Sequence, residues 1–139
     1  MKNIFSDDLL SKAQFETQVL PGNKFSYEQK FDIAEDLLKK YSKARLVITS
    51  RIHCALPCLA MGTPVIFING FDDFFDTCRF DGIFDLFNRV DVNSKTGKFT
   101  TNFKHFGKIE YDIKIQNLEK HHTISDNLKK IVQNFYREK

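Results

Sequence analysis

The sequence predicts an α/β fold in which helices cover a parallel sheet, and three observations carry that prediction. Two continuously apolar runs, Leu46-Val47-Ile48 and Val65-Ile66-Phe67-Ile68, have the length and composition of strands covered on both faces. Between them, the small-residue stretch from His53 to Met61 reads as a helix that Gly62 terminates. Strand, helix and strand joined by short links form a right-handed βαβ unit, whose two strands are parallel neighbours.

The remaining elements follow in chain order. Residues 1–16 are polar with one weak apolar period, and Thr17-Gln18-Val19-Leu20 before Pro21-Gly22-Asn23 reads as a short strand ending in a turn. Ser26 with Gln29 three residues on is a capping-box signature. Phe31, Ala34, Leu37, Leu38 and Tyr41 then recur at helical spacing, so an amphipathic helix is predicted. Pro57 is expected near the first turn of the following helix, where a missing N–H costs least. Phe80 to Phe87 suggests a short helix, Arg89 to Val92 a strand and Asn93 to Gly97 a turn. Ile109, Tyr111, Ile113 and Ile115 alternate with polar residues and predict an edge strand. A last helix is expected from a Ser125 cap through Leu128, Ile131, Val132 and Phe135.

Composition bounds the function classes. A chain of 139 residues with 42% hydrophobic and 28% charged residues has the size and balance of a single globular domain, and 15 phenylalanines supply core volume where tryptophan is absent. The net charge of +3 hides an asymmetry, because residues 71–91 carry six aspartates whereas the lysines and arginines beyond them are dispersed. No clustered basic face with interleaved aromatics appears, so nucleic acid is not an expected partner. Three cysteines, an odd number, with no signal-like apolar run at the N-terminus predict a reducing, cytoplasmic setting. The longest apolar run, Cys54 to Met61, is too short to span a bilayer.

The chemistry-bearing segment is Thr49-Ser50-Arg51-Ile52-His53. In open α/β sheets, ligands bind beyond the carboxyl ends of strands, where loops enter helices whose free N–H groups favour anions. This segment places a permanent cation, an imidazole and two hydroxyls at such an entrance, which suits phosphate or carboxylate oxygens. From spacing alone the alternative stands equally: Arg51 pairs with a structural carboxylate and His53 caps the helix.

The run from Ala44 to Ile66, with Thr49-Ser50-Arg51-Ile52-His53, a small-residue helix and Gly62-Thr63-Pro64-Val65-Ile66, resembles the signature of the polysaccharide pyruvyl transferases. In that family a strand ends in Ser-Arg-Leu-His and Gly-x-Pro-Val-Ile opens the next. Ile52 stands where Leu is usual, and Arg51 and His53 match. The helix ending Leu37 to Ala44 also fits, so the resemblance covers roughly Tyr27 to Asn69.

The resemblance implies a Rossmann-like domain similar to the C-terminal half of a GT-B-like fold, with the family's N-terminal half absent. It implies transfer of the enolpyruvyl group of phosphoenolpyruvate to a sugar diol as a pyruvate ketal, as in exopolysaccharide biosynthesis. Phosphoenolpyruvate is then a donor substrate and no cofactor is needed; the acceptor is a saccharide. Arg51, Ser50 and the backbone of Ile52 would bind the donor, with His53 as general acid or base. Arg79 follows the second strand, where the family tends to carry a basic residue near the donor; the alternative for it is a surface ion pair. An incomplete two-domain enzyme would need a separate N-terminal half or associate with itself. Two other readings remain: the donor-binding half of a GT-B-like glycosyltransferase, and a non-catalytic α/β module.

Other patterns are weaker. Asp72-Asp73-Phe74-Phe75-Asp76 spells a magnesium-binding DDxxD, but in the context of a strand rather than a helical bundle, so an acidic loop is expected. His53, Cys54 and Cys58 lack the fourth ligand of a zinc site, and no metal is predicted. Cys54 and Cys58 are expected to pack against the sheet, and His105, His121 and His122 to lie exposed without a role.

Overall fold

The computed structural model describes residues 2–70 and 80–137. Arg79, Cys78 and the aspartates of the DDxxD pattern lie outside the described residues. The chain forms α1 (Asp7–Lys12), α2 (Tyr27–Lys43), β1 (Val47–Thr49), α3 (Ile52–Ala60), β2 (Val65–Asn69), β3 (Asn88–Val92), β4 (Phe99–Thr101) and α4 (Lys120–Arg137). The strands make one open sheet in the order β1-β2-β3-β4. The first three are parallel, with Val47 opposite Val65 and Ile66 opposite Asn88.

The architecture is therefore the expected α/β, Rossmann-like arrangement, with one departure. β4 pairs antiparallel with β3, so the sheet is mixed. The predicted turn explains why: Asn93 Oδ1 accepts from the N–H groups of Lys95 and Thr96, and Gly97, at φ +67°, returns its N–H to the Asn93 carbonyl at 2.8 Å. A turn this tight can only send the chain back alongside the strand it left.

Residue alternation in β2 divides two cores. Val65 and Phe67 face α2 and α3, where they join Tyr41, Cys54, Ala55, Cys58, Leu59 and Phe87. Phe67 stacks against Phe87 at 5.5 Å between ring centroids and lies 5.4 Å from Phe84. Ile66 and Val90 face the other side, where Ile4, Phe5, Leu9 and Ile109 cover them. The N-terminal residues, read from sequence as polar, thus supply part of the second core. Ser6 caps α1 by accepting from the Leu9 N–H at 3.2 Å, which turns Leu9 inward.

The cap predicted for α2 is present in both directions: Ser26 N–H donates to Gln29 Oε1 at 2.9 Å and Gln29 N–H to Ser26 Oγ at 3.2 Å. The buried row on α2 is centred on Leu37 and Tyr41, while Phe31 is 76% exposed. At the end of α3, Gly62 N–H meets the Leu59 carbonyl and Thr63 N–H the Cys58 carbonyl, a Schellman closure with Gly62 at φ +77°.

Several expectations are corrected. Thr17 to Leu20 is not a strand, because Val19 N–H turns back to Thr17 Oγ1 at 3.1 Å and leaves the ladder. Ile109 to Ile115 is not an edge strand either. It makes one parallel bridge, Phe5 to Ile109, and its alternating isoleucines cover the second core. Phe80 to Phe87 is not a continuous α-helix: a turn in which Ile83 N–H meets the Phe80 carbonyl at 2.9 Å leads into a 3₁₀ turn at Phe84–Leu86. Helix α3 begins at Ile52, which puts Pro57 in its second turn, unable to donate to the carbonyl of His53. Helix α4 starts five residues before Ser125. Along its apolar face Leu128 is 58%, Ile131 64% and Val132 52% exposed.

Candidate active site at the β1–α3 junction

Three residues after β1 begins, the sheet ends and α3 must start. Thr49 Oγ1 accepts the Arg51 N–H at 3.1 Å, a local turn that lifts the chain off the strand. Arg51 takes the N-cap position with extended backbone, and its carbonyl accepts from the N–H groups of Cys54 and Ala55, each at 3.0 Å. Its side chain makes no capping bond, so the guanidinium is not spent on the helix.

Ile52 and His53 are the first two helical residues, whose N–H groups have no partner within the helix. Ile52 packs against the first core, while Ser50, Arg51 and His53 are exposed. The predicted residues Ser50, Arg51, Ile52 and His53 thus share one strand-to-helix junction at the carboxyl edge of the sheet. Arg51 has no ion pair among the described residues. Arg79 lies outside the described residues.

Behind the junction lies a cluster that sequence reasoning treated as packing alone. Cys54 and Cys58 are indeed buried, beside Tyr41. Donation from the Cys58 thiol, with smaller help from the hydroxyls of Thr49 and Tyr41, pulls the Cys54 thiol down to about 6 against the opposing effect of burial. Cys58 is pushed up by its neighbour Cys54 and by burial. Burial, reinforced by Cys54, raises Tyr41 to about 12. The available signal was the i, i+4 spacing of the two cysteines directly after Thr49.

Farther along the same edge, Asn69 Nδ2 donates to Asp91 Oδ1 at 2.6 Å, and Arg89 Nε to Asp91 Oδ2 at 2.9 Å. Asn69 ends β2, whereas Arg89 and Asp91 lie within β3. Arg89 is held by Asp91 and, at 3.6 Å, Asp85, so its charge is already matched. Among the described residues no three His, Cys, Asp or Glu side chains are grouped to hold a metal ion. No helix of the described chain is long and apolar enough to cross a membrane. His105, expected to be exposed, is half-buried between Phe99 and Phe103, with ring centroids 5.9 and 5.7 Å away.

Beside β1 a half-open cavity of about 770 Å³ is lined by residues of the strand, the end of α2 and the segment 4–18. Thr49, Ser50, Arg51 and Cys54 line it, whereas Ile52 and His53 do not. The junction therefore divides the predicted residues: two border the cavity and two belong to the helix entrance alone.

Residues 6–73 match the family model of the polysaccharide pyruvyl transferases. The match includes the whole β1–α3–β2 unit and extends the resemblance read from sequence toward the N-terminus, across α1 and the cavity wall. No curated protein and no solved structure matches the chain significantly.

Proposed function

We propose, from the premise that residues 6–73 carry the pyruvyl transferase signature, that the β1–α3 junction binds phosphoenolpyruvate as the donor for ketal formation on a sugar diol. The observation that carries this reading is the exposed Arg51 at the entrance of α3, which has no ion pair among the described residues and is flanked by Ser50 and by the helix-initial N–H groups of Ile52 and His53. A planar guanidinium matches carboxylate and phosphate oxygens two at a time, and a helix start adds partial positive charge.

The reaction needs a proton delivered to the methylene carbon of the donor and stabilisation of the cationic carbon that results. One acceptor hydroxyl adds to that carbon, phosphate leaves with its bonding electrons, and the second hydroxyl closes the ketal, each hydroxyl giving up a proton. His53 is assigned as the acid or base in these transfers, Arg51 as the donor clamp, and Ser50 and the Ile52 N–H as supporting donors. Arg79 is assigned a secondary contact to phosphate. The reaction draws on no cofactor.

The same reading assigns the exposed row Ile124, Leu128, Ile131 and Phe135 on α4 to contact with another protein surface, either an N-terminal half-domain or a second copy. Donor binding is tested by titrating the ¹⁵N-labelled protein with phosphoenolpyruvate, with pyruvate and a nucleotide sugar as controls. The expected result is saturable shifts in the amides of Ser50 to Cys54 that vanish in Arg51→Ala. A stronger response to the nucleotide sugar would transfer the site to a glycosyltransferase, and silence with every ligand would leave a non-catalytic module.

A further inference from the structure

The cavity beside β1 has a composition that the donor reading does not use. Its wall carries the cations Lys12, Lys40, Arg45 and Arg51 against the single carboxylate of Glu16. Two of these cations sit in surface pairs, Lys12 with Asp8 and Lys40 with Glu16, each at 2.7 Å with the lysine side chains more than half exposed, and Lys12 also lies 4.6 Å over the Tyr111 ring. Such pairs are weak and salt-screened, so an incoming anion can replace the carboxylate. Arg45 is fixed more firmly. Its guanidinium donates to the carbonyl oxygens of Tyr111 and Ile113 and lies 4.5 Å over the Tyr111 ring.

The lining also carries neutral polar groups: Gln18, Tyr41, Thr49 and Ser50 bring an amide and hydroxyls to it, with Gln18 Nε2 donating to the Tyr41 oxygen at 3.4 Å. A cavity of about 770 Å³ is within the size of small-molecule sites. Ser50 and Arg51, assigned above to the donor, are also among its lining residues.

We propose that this cavity binds an anionic saccharide, a sugar bearing a carboxylate or a phosphate, with its charge among Lys12, Lys40 and Arg45 and its hydroxyls directed toward Ser50. The saccharide class rests on the pyruvyl transferase reading; the anionic character rests on the cavity wall. A neutral glycan would gain nothing from the cations, which keep their surface carboxylates, and a small inorganic anion would leave the hydroxyl and amide groups of the lining unused.

The test is an NMR titration of the full chain with D-glucuronate, D-glucose 6-phosphate, D-glucose and inorganic phosphate, at low and high salt. Glucuronate or glucose 6-phosphate is expected to shift the amides of Thr17, Gln18 and Lys40 saturably, and which of the two binds more tightly identifies the charged group. The double variant Lys12→Gln/Lys40→Gln, altered only at exposed side chains, is expected to weaken that binding by about 5-fold and to reduce its salt dependence. Equal binding of glucose, equal binding of inorganic phosphate, or unchanged affinity in the double variant would each overturn the proposal.

Phosphoenolpyruvate shifts at Ser50 to Cys54 without any sugar response would sink the cavity assignment and leave the donor reading standing. Sugar binding without a phosphoenolpyruvate response would do the reverse.

Discussion

Helices α3 and α4 are both amphipathic, yet among the described residues α3 alone has its apolar face well covered. In α3, Ala55 and Cys58 are completely buried and Cys54 and Leu59 nearly so, against β2 on one side and α2 on the other. In α4, the row from Ile124 to Phe135 is about half exposed or more, and the helix touches the body mainly at the 3₁₀ turn Phe84–Leu86. Periodicity specifies which face of a helix is apolar. Whether that face is covered depends on a surface elsewhere, and the described chain supplies one for α3 alone. The candidate donor site stands on the covered helix, whose packing holds the junction in place.

The widest separation between the two regions should appear in stability. Phe67→Ala removes a ring packed between β2, Phe84 and Phe87, and is expected to cost about 3–5 kcal/mol in urea unfolding. Leu128→Ala on α4 is expected to change stability by no more than about 0.5 kcal/mol, because its side chain is already mostly in water. Comparable losses at both positions would break the contrast, since α4 would then have a covered face in solution.

A smaller effect is expected where α3 closes. At φ +77°, Gly62 sits in the left-handed region, and a Cβ there would meet nothing within 4 Å. Gly62→Ala should therefore cost only the backbone term, about 1–2 kcal/mol, without disturbing neighbouring side chains. A calorimetric melt measures the loss, and unchanged core NMR signals would confirm its local origin.

A separate effect is pH-dependent and belongs to the covered helix. The Cys54 thiol, lowered to about 6 from an ordinary value near 9, favours the folded state when ionised. Its contribution is complete above the unfolded value and is lost as pH falls through the folded one. Stability should thus rise between pH 6 and 9, and Cys54→Ser should flatten that slope. Variation in this range that persists in Cys54→Ser would assign it to other groups.

The sequence revealed the βαβ unit because local and global signals agree there. Apolar strands, a capped α2 and Gly62 before Thr63-Pro64 all favour the same local structure. The candidate site was readable for the same reason, since its residues are contiguous and a strand-to-helix junction needs no distant partner to form. The failures lie where the partner is remote. Ile109 to Ile115 alternate like a strand but cover a sheet face, and Ser6 to Leu9 join the core only because Ile4 and Phe5 pair with Ile109. The cavity wall draws on residues as far apart as Lys12, Arg45 and Tyr111, which no local pattern connects.

The central claim is that Arg51 binds the donor, and the most direct measurement is the calorimetric affinity of phosphoenolpyruvate for the wild type and for Arg51→Lys. Lysine keeps the charge and loses the planar fork, so the claim predicts about a 10-fold loss of affinity, in line with the strength of charge-assisted two-point bonds. Equal affinity in the two proteins, or no binding to either, would contradict it.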